Sequence, residues 1–261
     1  MRGLKIAISG KGGVGKSTVA AVWSRLLAEQ NLPVYAIDAD PDANLAHALG
    51  MPKHIADTLK PLAADDELIE QRTGARRGRT GQIFSLTPDV TDIAKKYAVQ
   101  WKGVQVVVLG GIKKGGGGCA CPENVLMRAL VTDLVLYKDD ALVMDMEAGV
   151  EHFGRATASG VDRMIIVIEP GQRAVDSTRR ILRLAHDIGL QDIRLVANKV
   201  TGPEDERFIR DAFPDNKFLG VIPYREEFRR ADREGRSVLD GLPGDLLRCF
   251  EDILKNLEAP L

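Results

Sequence analysis

The chain has 261 residues, with 36 Lys and Arg against 37 Asp and Glu, a formal net charge of −1 and 44% hydrophobic residues. This length suffices to bury a core, and the balanced charge argues against nucleic-acid binding, which a basic excess normally accompanies. The sequence has no apolar run of the about 18 residues that would suggest a membrane span, so we expect neither a membrane nor a nucleic-acid partner. The first residues lack a signal peptide's long apolar region, and three cysteines make no disulfide framework, so we expect a cytoplasmic protein.

Short apolar runs alternate with helix-like segments along the chain. A strand at 4–9 precedes a helix at 16–30. Further strands are predicted at 32–38, 105–109, 141–146, 163–168, 193–198 and 218–222. These runs are continuous rather than alternating, which is typical of parallel strands buried on both faces. The pattern predicts an α/β fold, a doubly wound and mostly parallel sheet flanked by helices, with residues 1–261 as a single domain.

Two segments interrupt this rhythm. Residues 72–81 (RTGARRGRTG) hold four arginines, which suit a solvated surface turn or a docking surface for an acidic partner protein. Residues 110–118 (GGIKKGGGG) hold six glycines and lead into a pair of cysteines. A loop with so many glycines is entropically costly to order, which suggests that it serves a function.

A phosphate-binding loop follows the first predicted strand. Residues 10–17 read GKGGVGKS, a complete G-x-x-x-x-G-K-S motif between a strand and a helix. Backbone N–H groups and the helix N-terminus would bind nucleotide phosphates there. We expect Lys16 to reach the β- and γ-phosphates, Ser17 to bind Mg²⁺ and Thr18 to contact the α-phosphate. The expected nucleotide-binding set in the loop is Gly10, Lys11, Gly12, Gly13, Val14, Gly15, Lys16, Ser17 and Thr18.

Acidic residues end two other predicted strands. Asp38 ends the second strand and Asp40 follows it, while Asp145 lies at the end of the apolar run ALVMDM. Ligands bind at the carboxyl ends of strands in open α/β sheets, so these carboxylates are candidates for a Mg²⁺ and ATP site, with Asp145 holding the metal. Alternatively, an Asp of the Asp40–Asp42 stretch serves only as a helix N-cap.

The cysteine pair is a candidate metal site. Cys119 and Cys121 form a C-x-C motif just before a predicted helix, whose dipole favours thiolates. Two thiolates do not complete a tetrahedral site, but a two-fold dimer supplies the patch twice. We therefore expect Zn²⁺ or Ni²⁺ at a dimer-bridging site of four cysteines. A vicinal redox pair is the alternative, and Cys249 is expected to be a core residue.

The early lysine in the loop makes the motif more specific. The sequence K-G-G-V-G-K-S resembles the deviant phosphate loop of the MinD/ParA/nitrogenase-iron-protein superfamily of ATPases. This resemblance implies an ATPase in which Lys11 reaches the partner subunit's nucleotide. It also implies that Asp40 orients the attacking water, that Asp38 supports the Mg²⁺ shell, and that Asn198 and the loop at Pro223 contact the adenine.

The segment C-A-C-P-E-N, together with G-V-E-H-F-G at 149–154, is similar to the CooC-type maturation ATPases. That resemblance implies a homodimeric metallochaperone that inserts nickel into a client, carbon monoxide dehydrogenase. Two alternatives stay open at this point. One is an ATP-dependent electron donor with a dimer-bridging iron–sulfur cluster, and the other is a MinD/ParA-like positioning ATPase.

Overall fold

The structure is a computed structural model that describes residues 3–79, 81–110, 121–136, 139–149 and 158–258. Its strands are β1 (Lys5–Ser9), β2 (Val34–Ala39), β3 (Val99–Trp101), β4 (Val104–Val108), β5 (Ala141–Met146), β6 (Arg163–Ile168), β7 (Ile193–Val200) and β8 (Lys217–Pro223). Its helices are α1 (Lys16–Glu29), α2 (Leu45–Ala48), α3 (Lys53–Ala56), α4 (Asp66–Thr73), α5 (Ile93–Tyr97), α6 (Pro122–Leu136), α7 (Gln172–Asp187), α8 (Pro203–Ala212), α9 (Glu226–Arg233) and α10 (Gly244–Glu258).

Within these residues, eight strands form one sheet in the order β3-β4-β2-β5-β1-β6-β7-β8. Every neighbouring pair is parallel except β3 and β4, which are antiparallel. The doubly wound, mostly parallel sheet predicted from the sequence is therefore confirmed. The sequence did not predict β3 or the short helices α3 to α5. β3 has only three residues, none of them fully buried, so it lacks the continuous apolar run that reveals the other strands.

Hydrophobic cores cover both faces of the sheet. Ile6 and Ile8 of β1 point to the face that α1 covers, where Trp23 is fully buried. Ala7, between them, points to the opposite face, which α6 and α7 cover. Because alternate residues of each strand enter two different cores, most residues of the central strands are apolar. Each large apolar side chain buried in this way contributes roughly 1.5–3 kcal/mol.

Helix α10 packs along the outer strand β8. Its Leu246, Phe250 and Leu257 side chains are buried, as expected of a packing helix. The Cys249 thiol donates to the Val221 carbonyl at 3.0 Å, and the Asn256 amide donates to the Leu219 carbonyl at 2.9 Å. None of the helices in the described part of the chain combines the length and the apolar composition that crossing a bilayer requires.

The arginine-rich segment 72–81 makes local ion pairs. The Arg72 guanidinium contacts Asp92 at 2.7 Å, and that of Arg76 contacts Glu70 at 2.8 Å. Arg77 pairs with Asp66 at 3.0 Å. Three of the four arginines thus have acidic partners within the chain, which accords with the surface-turn interpretation.

Candidate nucleotide and metal site

The phosphate loop connects β1 to α1 at the carboxyl edge of the sheet. Gly15 has a φ of 103° and precedes α1 without any side-chain cap on the helix N–H groups. These N–H groups need acceptors, and the helix dipole makes anions the favoured ones. Gly10 is equally constrained, because a Cβ there would lie 2.4 Å from the Val167 carbonyl oxygen. The loop therefore has the backbone of a phosphate cradle.

The end of β7 fixes this loop from one side. The buried Asn198 amide nitrogen donates to the Val14 carbonyl at 2.7 Å, and its oxygen accepts from the Lys199 N–H at 2.9 Å. The Lys199 ammonium donates to the Gly13 carbonyl at 2.6 Å. A Cβ on Gly15 would lie 2.4 Å from the Asn198 amide nitrogen, so the contact also requires glycine. Asn198 thus positions the phosphate loop, a role that the sequence did not indicate.

Lys16 and the acidic residues after β2 lie together. The Lys16 ammonium is 3.5 Å from the Asp40 carboxylate, and its side chain is only 6% exposed. Asp38 accepts the N–H of Leu45 at 2.8 Å and that of Asp40 at 3.1 Å. Asp38 therefore stabilises the start of α2, the helix-capping task that we had considered for the Asp40–Asp42 stretch.

Asp38 and Asp145 form a buried carboxyl pair. They are register partners on β2 and β5, and both are fully buried. Neither Asp145 oxygen has a hydrogen-bond partner among the described residues. Burial raises the pKa of Asp145 to about 7, with a further contribution from the Asp38 charge, against the lowering effect of Ser17 and Lys16. Burial likewise raises the pKa of Asp38 to about 6. Two buried, under-neutralised carboxyl groups beside a phosphate loop fit a divalent cation such as Mg²⁺.

A cleft of about 400 Å³ opens over the phosphate loop. Its walls include Lys16, Ser17, Thr18 and Asp40. A smaller, mostly apolar cavity adjoins it beside Asn198, lined by Ile222, Tyr224, Phe228 and Phe250 among others. Pro223 ends β8 between two of these residues. The sequence predicts an adenine contact at Pro223 but does not indicate the aromatic side chains of this cavity, Tyr224, Phe228 and Phe250. Tyr224 and Phe228 could have been suspected from the sequence, because they come just after β8, which ends beside Asn198.

Lys11 has an acidic partner within its own chain. Its ammonium contacts the Glu169 carboxylate at 2.9 Å, and Lys199 contacts the other oxygen of that carboxylate at 3.1 Å. The sequence indicated a role for neither Glu169 nor Lys199. Glu169 directly follows β6, which pairs with β1. Like Asp38 and Asp145, it is therefore an acidic residue at the carboxyl end of a strand near the phosphate loop, and this position could have identified it from the sequence.

Cys121 lies at the same edge of the sheet as the phosphate loop. It directly precedes α6, the crossover helix between the parallel strands β4 and β5, so α6 begins at the carboxyl edge. Neither Cys121 nor Cys249 forms a disulfide within the described residues. Cys119 and the 150–154 part of the second motif lie outside the described residues. In the described part of the chain, no three His, Cys, Asp or Glu side chains are arranged to hold a metal.

The structure thus brings together most of the expected nucleotide and magnesium residues. Lys16, Ser17, Thr18 and Asp40 line one cleft, and Asp38 lies next to Asp145 below it. Lys11 points to Glu169 rather than into this cleft.

Comparisons with known proteins agree with this geometry. The family described as the CobQ/CobB/MinD/ParA nucleotide binding domain matches residues 5–238. The carbon monoxide dehydrogenase accessory protein CooC of Rhodospirillum rubrum is 42% identical over 240 residues, covering 92% of this chain and 91% of that protein. An uncharacterized ATP-binding protein of Methanocaldococcus jannaschii is 39% identical, covering 97% and 98% of the two chains.

The fold also matches solved structures. The structure of the MinC:MinD cell division protein complex of Aquifex aeolicus aligns with a TM-score of 0.69 at 19% identity, over 98% of this chain and 97% of that one. At this identity the likeness concerns the fold. The family match, the CooC relative and the phosphate-loop geometry lead to one conclusion: the chain is a nucleotide-binding ATPase that belongs to the CooC-type group of the MinD/ParA superfamily.

Proposed function

We propose that this chain is a nucleotide-dependent homodimeric metallochaperone, which inserts nickel into carbon monoxide dehydrogenase in the cytoplasm. The similarity to CooC supports the choice of client. The observation that carries the proposal is the position of Cys121, at the start of α6 and on the same edge of the sheet as the phosphate loop. One dimer interface along that edge can therefore include both the nucleotide and the thiols. We infer that residues 1–261 form one ATPase domain, because strands from both ends of the described chain enter one sheet.

The nucleotide site divides its tasks among a few side chains. Lys16 and the N–H groups of residues 10–15 hold the phosphates, while Ser17, Asp38 and Asp145 hold Mg²⁺. Mg²⁺ bound with the nucleotide neutralises charge on the β- and γ-phosphates. Asp40, anchored 3.5 Å from Lys16, orients the water that attacks the γ-phosphorus, and ADP leaves as the bridging P–O bond breaks. Asn198 fixes the loop, and the cavity beside Asn198 and Pro223 receives the adenine.

Metal cargo is held between two subunits. Cys119 and Cys121 of one chain supply two thiolates, and the partner's identical pair completes a tetrahedral set for Ni²⁺ or Zn²⁺. ATP stabilises the closed dimer, in which Lys11 reaches the partner's nucleotide. Hydrolysis removes the γ-phosphate and with it the contacts that are made only in the ATP-bound dimer. The interface then weakens and the cargo is released to the client.

Metal content and molar mass, measured together, test this proposal. Elemental analysis and light scattering with added Ni²⁺ or Zn²⁺ are expected to give one ion per dimer. Cys121→Ser and Cys119→Ser should lose most of the metal while keeping ATP affinity. Cys249→Ser is the matched control, because that thiol is engaged by the Val221 carbonyl on β8. One ion per monomer, or full metal binding by the Cys121 variant, would contradict the proposal. A brown, iron-containing protein would instead support the electron-donor alternative.

A further inference from the structure

The carboxylate of Glu169 joins two lysines that come from different parts of the site. One oxygen accepts from the Lys11 ammonium at 2.9 Å, and the other contacts the Lys199 ammonium at 3.1 Å. The Glu169 side chain is 22% exposed, while those of Lys11 and Lys199 are 36% and 41% exposed. This three-residue bridge lies beside the phosphate loop. Of its members, Lys199 lines the cleft over the loop, whereas Lys11 and Glu169 do not.

Two members of the bridge, Glu169 and Lys199, are positioned by strands of the sheet. Glu169 directly follows β6, whose Ile166 pairs with Ser9 just before the phosphate loop. Lys199 belongs to β7, adopts a φ of 58° and also donates to the Gly13 carbonyl. The Glu169 carboxylate is thus held at a defined position next to the loop, and the flexible Lys11 side chain comes to it.

Burial raises the pKa of Glu169, but the hydrogen bonds from Lys11 and Lys199 outweigh that effect and leave the pKa below its ordinary value. The carboxylate is therefore charged at neutral pH, and both ion pairs persist there.

The Lys11 ammonium, which the proposed function sends across the dimer interface, is bound here to a carboxylate of its own chain. We propose that Glu169 is a positioning residue that retains Lys11 in its own subunit until ATP-bound subunits close on each other. This inference rests on the role that the proposed function gives to Lys11. Among the described residues, the Glu169 carboxylate bonds to the side chains of Lys11 and Lys199 and not to the backbone N–H groups of the phosphate loop, so it acts through Lys11.

Retention lowers the fraction of subunits whose Lys11 is available for the partner. The apparent affinity of the two subunits for each other equals their intrinsic affinity multiplied by the fraction of subunits whose Lys11 is free. Partly exposed ion pairs are weak, so release of Lys11 is expected to change dimerisation by about two- to fivefold rather than by orders of magnitude. The contact is therefore weak enough for the partner's ATP to displace it.

The test is Glu169→Gln, which keeps the size of the side chain and removes its charge. Dimerisation at fixed ATP, followed by light scattering, should tighten by about two- to fivefold. The kcat at limiting protein concentration should rise with it, while the KM for ATP stays unchanged. Glu206→Gln is the matched control, because Glu206 forms a similarly exposed ion pair with Arg210 on α8, away from the site.

Two double variants, in which Glu169→Gln is combined with Lys11→Ala or with Lys199→Ala, identify the lysine through which Glu169 acts. The gain in dimerisation should vanish when Lys11→Ala is already present, and it should persist in a Lys199→Ala background. Weaker or unchanged dimerisation of Glu169→Gln would overturn the proposal, as would loss of the gain in the Lys199 background only. Wild-type kcat in the Lys11→Ala variant alone would instead refute the trans role of Lys11 in the proposed function.

Discussion

Asp38 and Asp145 lie side by side on the parallel strands β2 and β5, as register partners whose side chains point to the same face of the sheet. Both are fully buried, and the Asp145 oxygens have no hydrogen-bond partner among the described residues. Two carboxyl groups in this arrangement repel each other when both are ionised, and a divalent cation relieves that repulsion. In the proposed Mg²⁺ site, the pair would therefore lower the stability of the metal-free protein and favour binding of the cation.

Asp145→Asn should make the metal-free protein more stable and inactive. The amide removes a buried charge that lacks a partner, a defect that costs about 1–3 kcal/mol or more. Thermal or urea unfolding without Mg²⁺ should show the gain, while Mg²⁺-dependent ATP turnover is lost. Asp192→Asn is the matched control. It removes the carboxylate bound to the buried Arg194 at 2.7 Å and should destabilise the protein by about 3–5 kcal/mol. Destabilisation of the Asp145 variant would contradict this assignment.

The affinity for Mg²⁺ should rise with pH. Asp38 and Asp145 have folded-state pKa values of about 6 and about 7, raised above those of the unfolded chain. The folded protein therefore binds more protons than the unfolded one, and its unfolding free energy without metal should fall between about pH 4 and pH 7. Mg²⁺ requires the ionised forms, so its binding should release protons in that window and tighten as pH increases. Calorimetry of Mg·ADP binding in buffers of different ionisation enthalpy measures this release, and no release near pH 6 would disprove it.

Lys16→Ala should abolish ATP turnover and weaken nucleotide binding. The Lys16 ammonium is almost fully buried in the cleft beside Asp40, whereas the other cations that line the cleft, Lys199, Arg229 and Arg236, are much more exposed. Nucleotide affinity by fluorescence titration and phosphate release together check this result. Hydrolysis at the wild-type rate would exclude Lys16 from the site.

Lys11→Ala and Asp40→Ala should lower kcat more than they lower affinity. Lys11 points away from the cleft of its own chain, and Asp40 is assigned to the attacking water, so both act mainly in the transition state. The expected loss of kcat is about 10²-fold or more, with ATP affinity retained. If either change raised KM and left kcat intact, that residue would bind ground-state ATP instead.

Asn198→Ala should loosen the phosphate loop. The variant leaves the buried Val14 carbonyl without its donor, so we expect a stability loss of about 1–2 kcal/mol and a higher KM for ATP. Asn256→Ala provides the comparison. The Asn256 amide, on α10, also donates to a backbone carbonyl, that of Leu219 on β8, but it does not contact the phosphate loop. That variant should lose similar stability with an unchanged KM. An equal effect of both variants on KM would show that the loop contact is only structural.

The sequence predicted the sheet and the phosphate loop because both are local patterns. A strand buried on both faces reads as one apolar run, and GKGGVGKS is continuous in the chain. The contacts between distant segments were not predictable in this way. The sequence assigned Asp38 and Asp145 to one Mg²⁺ site because both end strands, but it did not show that β5 lies next to β2 and makes them neighbours. Lys11 meets Glu169 across 158 positions only because β6 lies next to β1. Such contacts depend on the order of strands in the sheet, which apolar runs do not encode.

Both lateral margins of the sheet discourage growth by addition of a further strand. At one margin, β3 offers a ladder of only three residues. At the other, side chains of α10 already occupy the Leu219 and Val221 carbonyls of β8. An unpaired, regular strand is the usual template for uncontrolled polymerisation, and short or covered margins suppress it. The homodimer proposed above would therefore form at the edge of the sheet that carries the loops, where nucleotide could control association.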